Sequence, residues 1–326
     1  MAQLDQQLMV KNESTWGTPV TPDRTYEFNS EGIEDQFGRT EGDPLRVGTF
    51  YQREDRFTPY LLGVAGPIEM DVMTKGFGWW LKHMFGTVNT TGPTETTVYT
   101  HTAVTSDLLG TSFTAQVSRP LNPTGTAQPF TYEGCKITEW ELSNSVDGNL
   151  VFTATIDGQQ VSTATALATA SYPTSMENLT WAGGTVSIAG TQVPVTEVSI
   201  KASTGLNTDR RKINGSTDKQ EQTGGRREAS FSLSADFDAL TQRNRAASAT
   251  AAGAMAQIIC TWTGPTLLGS TIKPNLVVTM QARFDEFKAA NEGPEGITQE
   301  LSGALRYAVS PAAALTAVYQ SADVTA

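Results

Sequence analysis

The sequence has little of what most enzymes and metal proteins depend on. Its 326 residues include only two histidines, His83 and His101, and two cysteines, Cys135 and Cys260. Neither histidine has a second His or Cys at the spacing of a zinc site, so we expect no bound metal. The two cysteines lie far apart in strand-like stretches, which predicts buried free thiols rather than a disulfide framework.

Catalytic and cofactor motifs are also missing. No Ser, His and Asp arrangement stands out, and Gly76-Phe77-Gly78 lacks the rest of a dinucleotide-binding fingerprint and its βαβ unit. The pair Trp79-Trp80 is compatible with stacking on a carbohydrate, but packing in a core or interface is the commoner use of such residues. We therefore predict a protein that is not an enzyme and that binds no cofactor.

Long apolar runs and an excess of positive charge are absent. No stretch approaches the ~20 apolar residues of a membrane span, and the polar start has no signal-peptide pattern, so no membrane association is expected. The formal net charge is −11, which argues against a protein that grips nucleic acid. The charge does not exclude a protein that lets nucleic acid pass without holding it, because an acidic wall repels a phosphate backbone.

What the chain does contain is the composition and pattern of β structure. It is rich in Thr, Ser, Gly and Ala, and threonine favours strands because its branched β-carbon packs well on a pleated surface. Alternating apolar and polar residues in 135–142 and 150–156, separated by the turn dipeptide Asp147-Gly148, predict a hairpin. Helical spacing of apolar residues in 75–85 predicts one helix. The fold class expected from these features is mainly β.

The order of these features suggests two similar halves. Residues 1–25 are expected to form an extended arm, docked through Trp16, and residues 26–165 a first β domain. An Ala/Ser/Thr-rich linker at 166–190 precedes a second β domain at 191–326. Each half runs strand, long polar stretch, strand, helix and further strands; the polar stretches are 35–58 and 209–227, and the second helix is expected at 237–248. This order predicts a tandem duplication with slight residue identity.

Two charged loops and the arm hold the candidate contact residues. The acidic group, in residues 31–43, lacks the spacing of a calcium loop, so a solvated or lumen-facing loop is expected. The basic group, in residues 210–227, is either a solvated loop or an arm that meets the acidic group on a neighbouring copy. Nucleic-acid binding is the third interpretation. The candidate inter-subunit contacts are Trp16, Glu31, Glu34, Asp35, Glu41, Asp43, Arg210, Arg211, Lys212, Arg226 and Arg227.

Several short motifs are similar to one family. Residues 13–19 (ESTWGTP) with Arg24 and the strand 26–31 (YEFNSE) resemble the N-terminal part of the major tail tube proteins of siphophages. So do residues 129–137 (PFTYEGCKI) continuing into 140–142 (WEL), and 171–173 (SYP) after a Thr/Ala run. The likeness is spread over residues 10–240.

This resemblance implies a β-sandwich or barrel with a flanking helix, whose copies form rings that stack into a hollow tube for the genome. It implies a virion protein assembled in the host cytoplasm, with the tape measure protein and tail-end proteins as partners and DNA passing through the lumen. Relatives with two such domains close as trimers with pseudo-sixfold symmetry, whereas a single elaborated domain would form a hexamer. The alternatives are a tail terminator, a distal tail protein, a secretion tube, or a carbohydrate-binding surface β-sandwich.

Overall fold

The computed structural model describes residues 6–42, 44–48, 50–95, 97–121, 124–289, 296–308 and 313–326. Strands account for 53% and helices for 7%, which confirms the mainly β prediction. The strands are β1 (Gln7–Asn12), β2 (Arg24–Tyr26), β3 (Ser30–Glu31), β4 (Glu34–Glu41), β5 (Phe57–Asp71), β6 (Gly86–Thr94), β7 (Val98–Thr105), β8 (Phe113–Pro120), β9 (Ala127–Ser145), β10 (Val151–Gly158), β11 (Gln160–Ser162), β12 (Gly184–Ile188), β13 (Thr191–Gln192), β14 (Val195–Ser203), β15 (Leu206–Asn207), β16 (Thr223–Gly224), β17 (Glu228–Asp236), β18 (Met255–Thr263), β19 (Asn275–Ala289), β20 (Thr298–Leu305) and β21 (Leu315–Ser321). The helices are α1 (Phe77–Phe85), α2 (Thr241–Ala246) and α3 (Ala251–Ala254), and a 3-10 turn covers Trp181–Gly183.

One antiparallel sheet, which we call the main sheet, runs through both halves of the chain. Its strand order is β4, β5, β10, β9, β14, β17, β20 and β19. A second sheet has the order β13, β12, β18, β19, β21, β7 and β6. A third sheet has the order β2, β1, β8, β9 and β11. The long strands β9 and β19 each leave one sheet and enter another, and this joins the sheets around one core.

The same set of strand pairings occurs twice along the chain. In the first half the pairs are β1–β2, β1–β8, β8–β9, β9–β11, β9–β10, β10–β5 and β5–β4. In the second half they are β12–β13, β12–β18, β18–β19, β19–β21, β19–β20, β20–β17 and β17–β14. Within the described residues the hairpin β6–β7 of the first half has no counterpart in the second half. It pairs with β21 through β7 and so extends the second sheet.

A bulge occurs at the same step of both halves. In the pair β9–β10 the register shifts between Thr155 and Ile156, and in β19–β20 it shifts between Phe284 and Glu286. An extra residue in one strand bends that strand and increases its local twist. The bulges therefore lie where β9 and β19 turn out of the main sheet.

Helix α1 forms because its apolar residues cover almost its whole circumference. Trp79, Trp80, Leu81 and Met84 are all buried, so the helix lies inside the molecule rather than on its surface. It ends at Gly86, whose φ of 104° is open to glycine at little cost. The predicted helix at 75–85 is confirmed, with its first residue at Phe77.

Other local predictions differ in extent from the structure. The expected polar loop at 35–58 contains β4 and the start of β5, and the described residues that connect them are 42, 44–48 and 50–56, which we call the loop at 42–56. These strand ends are exposed on both faces, which explains why they lack the alternation of a half-buried strand. The expected helix at 237–248 is instead the short helix α2, followed by α3. The expected arm contains β1 and β2, and the expected linker contains β12.

Candidate assembly and channel surface

One face of the main sheet is buried and the other is polar and exposed. Strand alternation turns Ile68, Phe152, Leu142, Ile200 and Leu301 into the core. The residues between them point outward, and the acidic ones are Glu34, Glu69, Asp71, Glu139, Glu141, Glu197, Glu228, Asp236, Glu286 and Glu300. The basic residues on the same face include Lys201 and Lys288, and Arg306 borders it just after β20. The face is therefore strongly acidic.

Two open depressions lie on the polar face. One is bordered by Glu139, Thr155 and Lys201, and the other by Ser232, Glu286 and Ser302. Both are open to solvent and are lined by a mixture of serine, glutamate, lysine and small apolar residues, and Arg306 borders the first. They are therefore part of an open surface and not a closed cavity of the kind that usually holds a small molecule.

Both edges of the main sheet are open. Among the described residues, β4 pairs only with β5, and residues 284–289 of β19 pair only with β20. An edge strand presents unpaired N–H and C=O groups, which readily pair with a strand of another chain. The two edges belong to opposite ends of the same sheet.

The junction between the two halves is itself a strand pair with cross-strand polar contacts. β14 pairs antiparallel with β9, from Glu197 opposite Ser145 to Ser203 opposite Glu139. At its centre the Lys201 ammonium lies 3.2 Å from a carboxylate oxygen of Glu141, and the Ser199 hydroxyl donates to Glu141 over 2.7 Å. The two halves are thus joined edge to edge into one continuous sheet.

The arm is docked on its own chain, through Trp16 and a second residue that the sequence did not single out. The indole N–H of Trp16 lies 3.1 Å from both the carbonyl oxygen of Gly134 and the side-chain oxygen of Gln222. The carboxylate of Glu13 is 7% exposed and accepts hydrogen bonds from Ser112 at 2.7 Å and the Gly134 amide at 2.8 Å. A single acidic residue in a polar segment gives no sequence signal for such burial.

The second charged loop folds back over the first half. Its Lys219 forms a buried ion pair with Asp157 of β10, and Gln222 donates to the same carboxylate over 2.6 Å. Lys136 of β9, 1% exposed, meets Glu221 of the loop at 2.7 Å. These ion pairs bind the loop to the wall formed by β9 and β10. Sequence reasoning missed them because each partner stands more than sixty residues from the other.

Four of the five basic candidates are accounted for as follows. Arg210 donates to the backbone carbonyl oxygen of Glu221. Arg211 donates to the backbone carbonyl oxygen of Leu62 and to the carboxylate of Asp209. Arg227 donates to Phe85 at 3.0 Å, among other carbonyl groups at the end of α1, and burial lowers the pKa of its guanidinium. Lys212 is exposed.

The fifth basic candidate, Arg226, is also exposed.

The acidic candidates fall into an inward and an outward group. Glu31 accepts two hydrogen bonds of 2.8 Å from Arg119. Asp35 lies on the same inner side, and burial raises the pKa of its carboxyl. Glu34 and Glu41 are exposed on the edge strand β4.

The remaining acidic candidate, Asp43, lies outside the described residues. The structure thus brings Arg211 against the β4–β5 hairpin of its own chain, and leaves Glu34, Glu41, Lys212 and Arg226 exposed to other molecules.

The residues considered for chemistry lie in the core. Trp79 and Trp80 are buried and pack edge-on against Phe113, so they offer no surface for a carbohydrate. Cys135 and Cys260 are buried free thiols, as predicted, and burial raises the pKa of Cys260 to about 12. Such thiols are unreactive at neutral pH.

Comparison with known proteins agrees with this architecture. Residues 3–305 match the profile of a family described as phage tail tube protein. A search of curated proteins found no match. No helix in the described part of the chain is long and apolar enough to cross a membrane. The match covers nearly the whole chain, and the chain therefore belongs to the phage tail tube protein family, a family of structural proteins of the bacteriophage virion.

Proposed function

We propose that this protein forms rings that stack into the hollow tail tube of a long-tailed phage, with the acidic face of the main sheet lining the channel for DNA. The observation that carries the proposal is a single sheet with one polar, acidic face and two open edges. Joining such edges from copy to copy closes a barrel and leaves the main sheet with no open edge.

We further propose that the chain is a tandem duplication and that three copies close the ring with pseudo-sixfold symmetry. The repeated pairings and the two matching bulges support this, as does the edge-to-edge junction of β9 with β14. With strands ~4.8 Å apart and tilted by roughly 40°, three copies would give a barrel roughly 40–50 Å across between backbones. Two copies would give roughly two thirds of that, which side chains on both walls would narrow severely.

The channel lining supports passage without binding. Outward-facing carboxylates would repel the phosphate backbone, and they outnumber the basic residues Lys201, Lys288 and Arg306 on the same face. Lys201 is close to Glu141, which offsets its charge. The tape measure protein, which the resemblance implies as a partner, would occupy the same channel before the genome does.

Stacking of rings is proposed to use the loop at 42–56. This loop carries Leu45, Val47, Phe50 and Tyr51 almost fully exposed, beyond the end of the main sheet. A cluster of large apolar side chains on a protruding loop indicates a surface that another protein covers. The next ring is the partner that the tube requires at this position.

Electron microscopy of the purified protein and of phage tails tests the proposal. We expect stacked rings with a central channel, each made of three chains. Replacing Glu69, Glu139 and Glu300 by Lys should leave the rings intact and slow genome ejection, whereas Gln at the same positions serves as a matched control for size. Absence of rings from the purified protein and of this chain from the tail tube would overturn the proposed assembly. Ejection at the normal rate from the lysine variant would overturn the role of the acidic lining.

A further inference from the structure

The junction inside the chain supplies a template for the junction between chains. Strand order in the second four strands of the main sheet, β14, β17, β20 and β19, repeats that of the first four, β4, β5, β10 and β9. The open edge at β19 therefore corresponds to β9, and the open edge at β4 corresponds to β14. Since β9 and β14 already pair within the chain, their counterparts have a defined way to pair between copies.

The bulges fix the equivalence residue by residue on the β19 side. The last regular pair before the bulge is Thr155 with Glu139 in the first half and Ser302 with Glu286 in the second. Glu286 thus corresponds to Glu139, and two residues further along, Lys288 corresponds to Glu141.

The pairings across the sheet fix the β4 side. Thr155 pairs with Pro67 of β5, and Ser302 pairs with Ser232 of β17. Two residues before these, Ala65 pairs with Glu34 and Ser230 pairs with Lys201, so Glu34 corresponds to Lys201.

The strand ends check this independently. The same alignment matches Asp71 with Asp236, and these are the last residues of β5 and β17.

We propose that β4 of one copy pairs antiparallel with residues 286–289 of β19 in the next copy, in the register that places Glu34 opposite Lys288. This inference rests on the proposed ring. Within the chain Lys201 faces Glu141, and between chains the same two positions hold Glu34 and Lys288. The charges are exchanged between the strands, yet the pair stays complementary, as directly opposed residues on neighbouring strands favour.

Both side chains are available for this contact. Glu34 and Lys288 are exposed. Within its own chain Lys288 lies opposite Glu300 on β20 and makes a long contact of 3.9 Å with Glu286, so its ammonium can also reach a carboxylate on the open side of β19. In the same register Ile33 would lie opposite Ala289, an apolar pair, and Asp35 would lie opposite Phe287. The exchanged charges also disfavour wrong pairings. Lys201 on β14 meets Glu141, whereas Lys288 on the β19 edge of one copy would repel Lys288 on the β19 edge of another copy. This favours head-to-tail addition of copies.

Site-specific cross-linking tests the register. In the double variant E34C/K288C, mild oxidation of assembled tubes should convert most chains into covalent dimers and closed trimers on a denaturing gel. The native Cys135 and Cys260 are buried and do not compete. The matched control E34C/E286C shifts one cysteine by two residues on the same face, a diagonal separation of roughly 7–8 Å, and should cross-link at least several-fold less.

Charge exchange gives a second measurement. E34K and K288E should each reduce the yield of tubes, and E34K/K288E should restore it towards the wild-type yield. If wild-type tubes show rings of this chain but cross-links form in the control variant instead, or in neither, the register is wrong while the ring stands. If cysteine variants form no tubes, failure of the double charge variant to recover assembly overturns the register. Absence of wild-type rings contradicts the proposed function itself.

Discussion

Replacing Lys219 by Met should destabilise the protein by removing one partner of a buried ion pair. The Lys219 and Asp157 side chains are 6% and 9% exposed, so neither charge is well hydrated in the folded state. Loss of the ammonium leaves the carboxylate with Gln222 as its side-chain donor, at 2.6 Å. Breaking such a pair from one side costs about 3–5 kcal/mol. Because Lys219 is anchored within the second loop, the same change should expose residues 209–218 to protease.

The destabilisation caused by K219M should depend on pH, through the pKa of the Asp157 carboxyl. Burial raises the pKa of the Asp157 carboxyl, while hydrogen bonds from Lys219 and Gln222 lower it. A folded pKa above the unfolded value means that the native state binds the proton more tightly, so stability falls as pH rises through the interval between them. Without Lys219 the folded pKa rises further. The loss of unfolding free energy in K219M should therefore be larger at pH 7.5 than at pH 4.5.

Urea denaturation of the full-length chain, followed by tryptophan fluorescence, measures these effects. The double variant D157N/K219M removes both charges and keeps an acceptor for Gln222, so we expect it to lie within about 1 kcal/mol of the wild type. A loss below about 1 kcal/mol in K219M would refute the reasoning. So would a double variant as unstable as K219M, because the cost would then come from packing rather than from the unpaired carboxylate.

Two further predictions concern His83 and the loop at 42–56. Burial lowers the pKa of His83 well below its usual range, so the unfolded chain binds a proton that the folded state excludes, and stability should fall below about pH 6.5 by up to ~1.4 kcal/mol per pH unit. H83Q should flatten this slope in urea denaturation between pH 7.5 and 5, and an unchanged slope would contradict it. F50S/Y51S should leave rings that no longer stack, seen by electron microscopy as single discs; tubes of normal length would exclude this loop from stacking.

Local sequence patterns predicted the elements that local physics determines. The hairpin around Asp147-Gly148 and helix α1 followed from alternation and helical spacing, because in both the apolar residues face a core. The edge strand β4 did not, since it is exposed on both faces and has no apolar period to reveal it. The order of elements in the two halves also suggested a repeat, although almost no residues are shared between them.

The contacts of the candidate site were beyond the reach of the sequence for a different reason. Arg211 and Arg227 are candidates for contacts between copies, and in the structure both hydrogen-bond to backbone carbonyl groups of their own chain. Backbone acceptors carry no sequence signature, so no pattern could assign them. The partners of Lys136 and Lys219 are charged side chains, but distant strands bring them together through the fold.

The pairing of β9 with β14 has a kinetic consequence. Because residues 146–194 connect these strands, their association is unimolecular and takes place at any dilution, as part of folding. In a ring of three, half of the seams between four-stranded units would be present before any two molecules meet. Two encounters would then bring the three chains together and the last seam would close within that assembly, whereas six separate units would need five encounters. Fewer open strands would be exposed to wrong partners in the meantime.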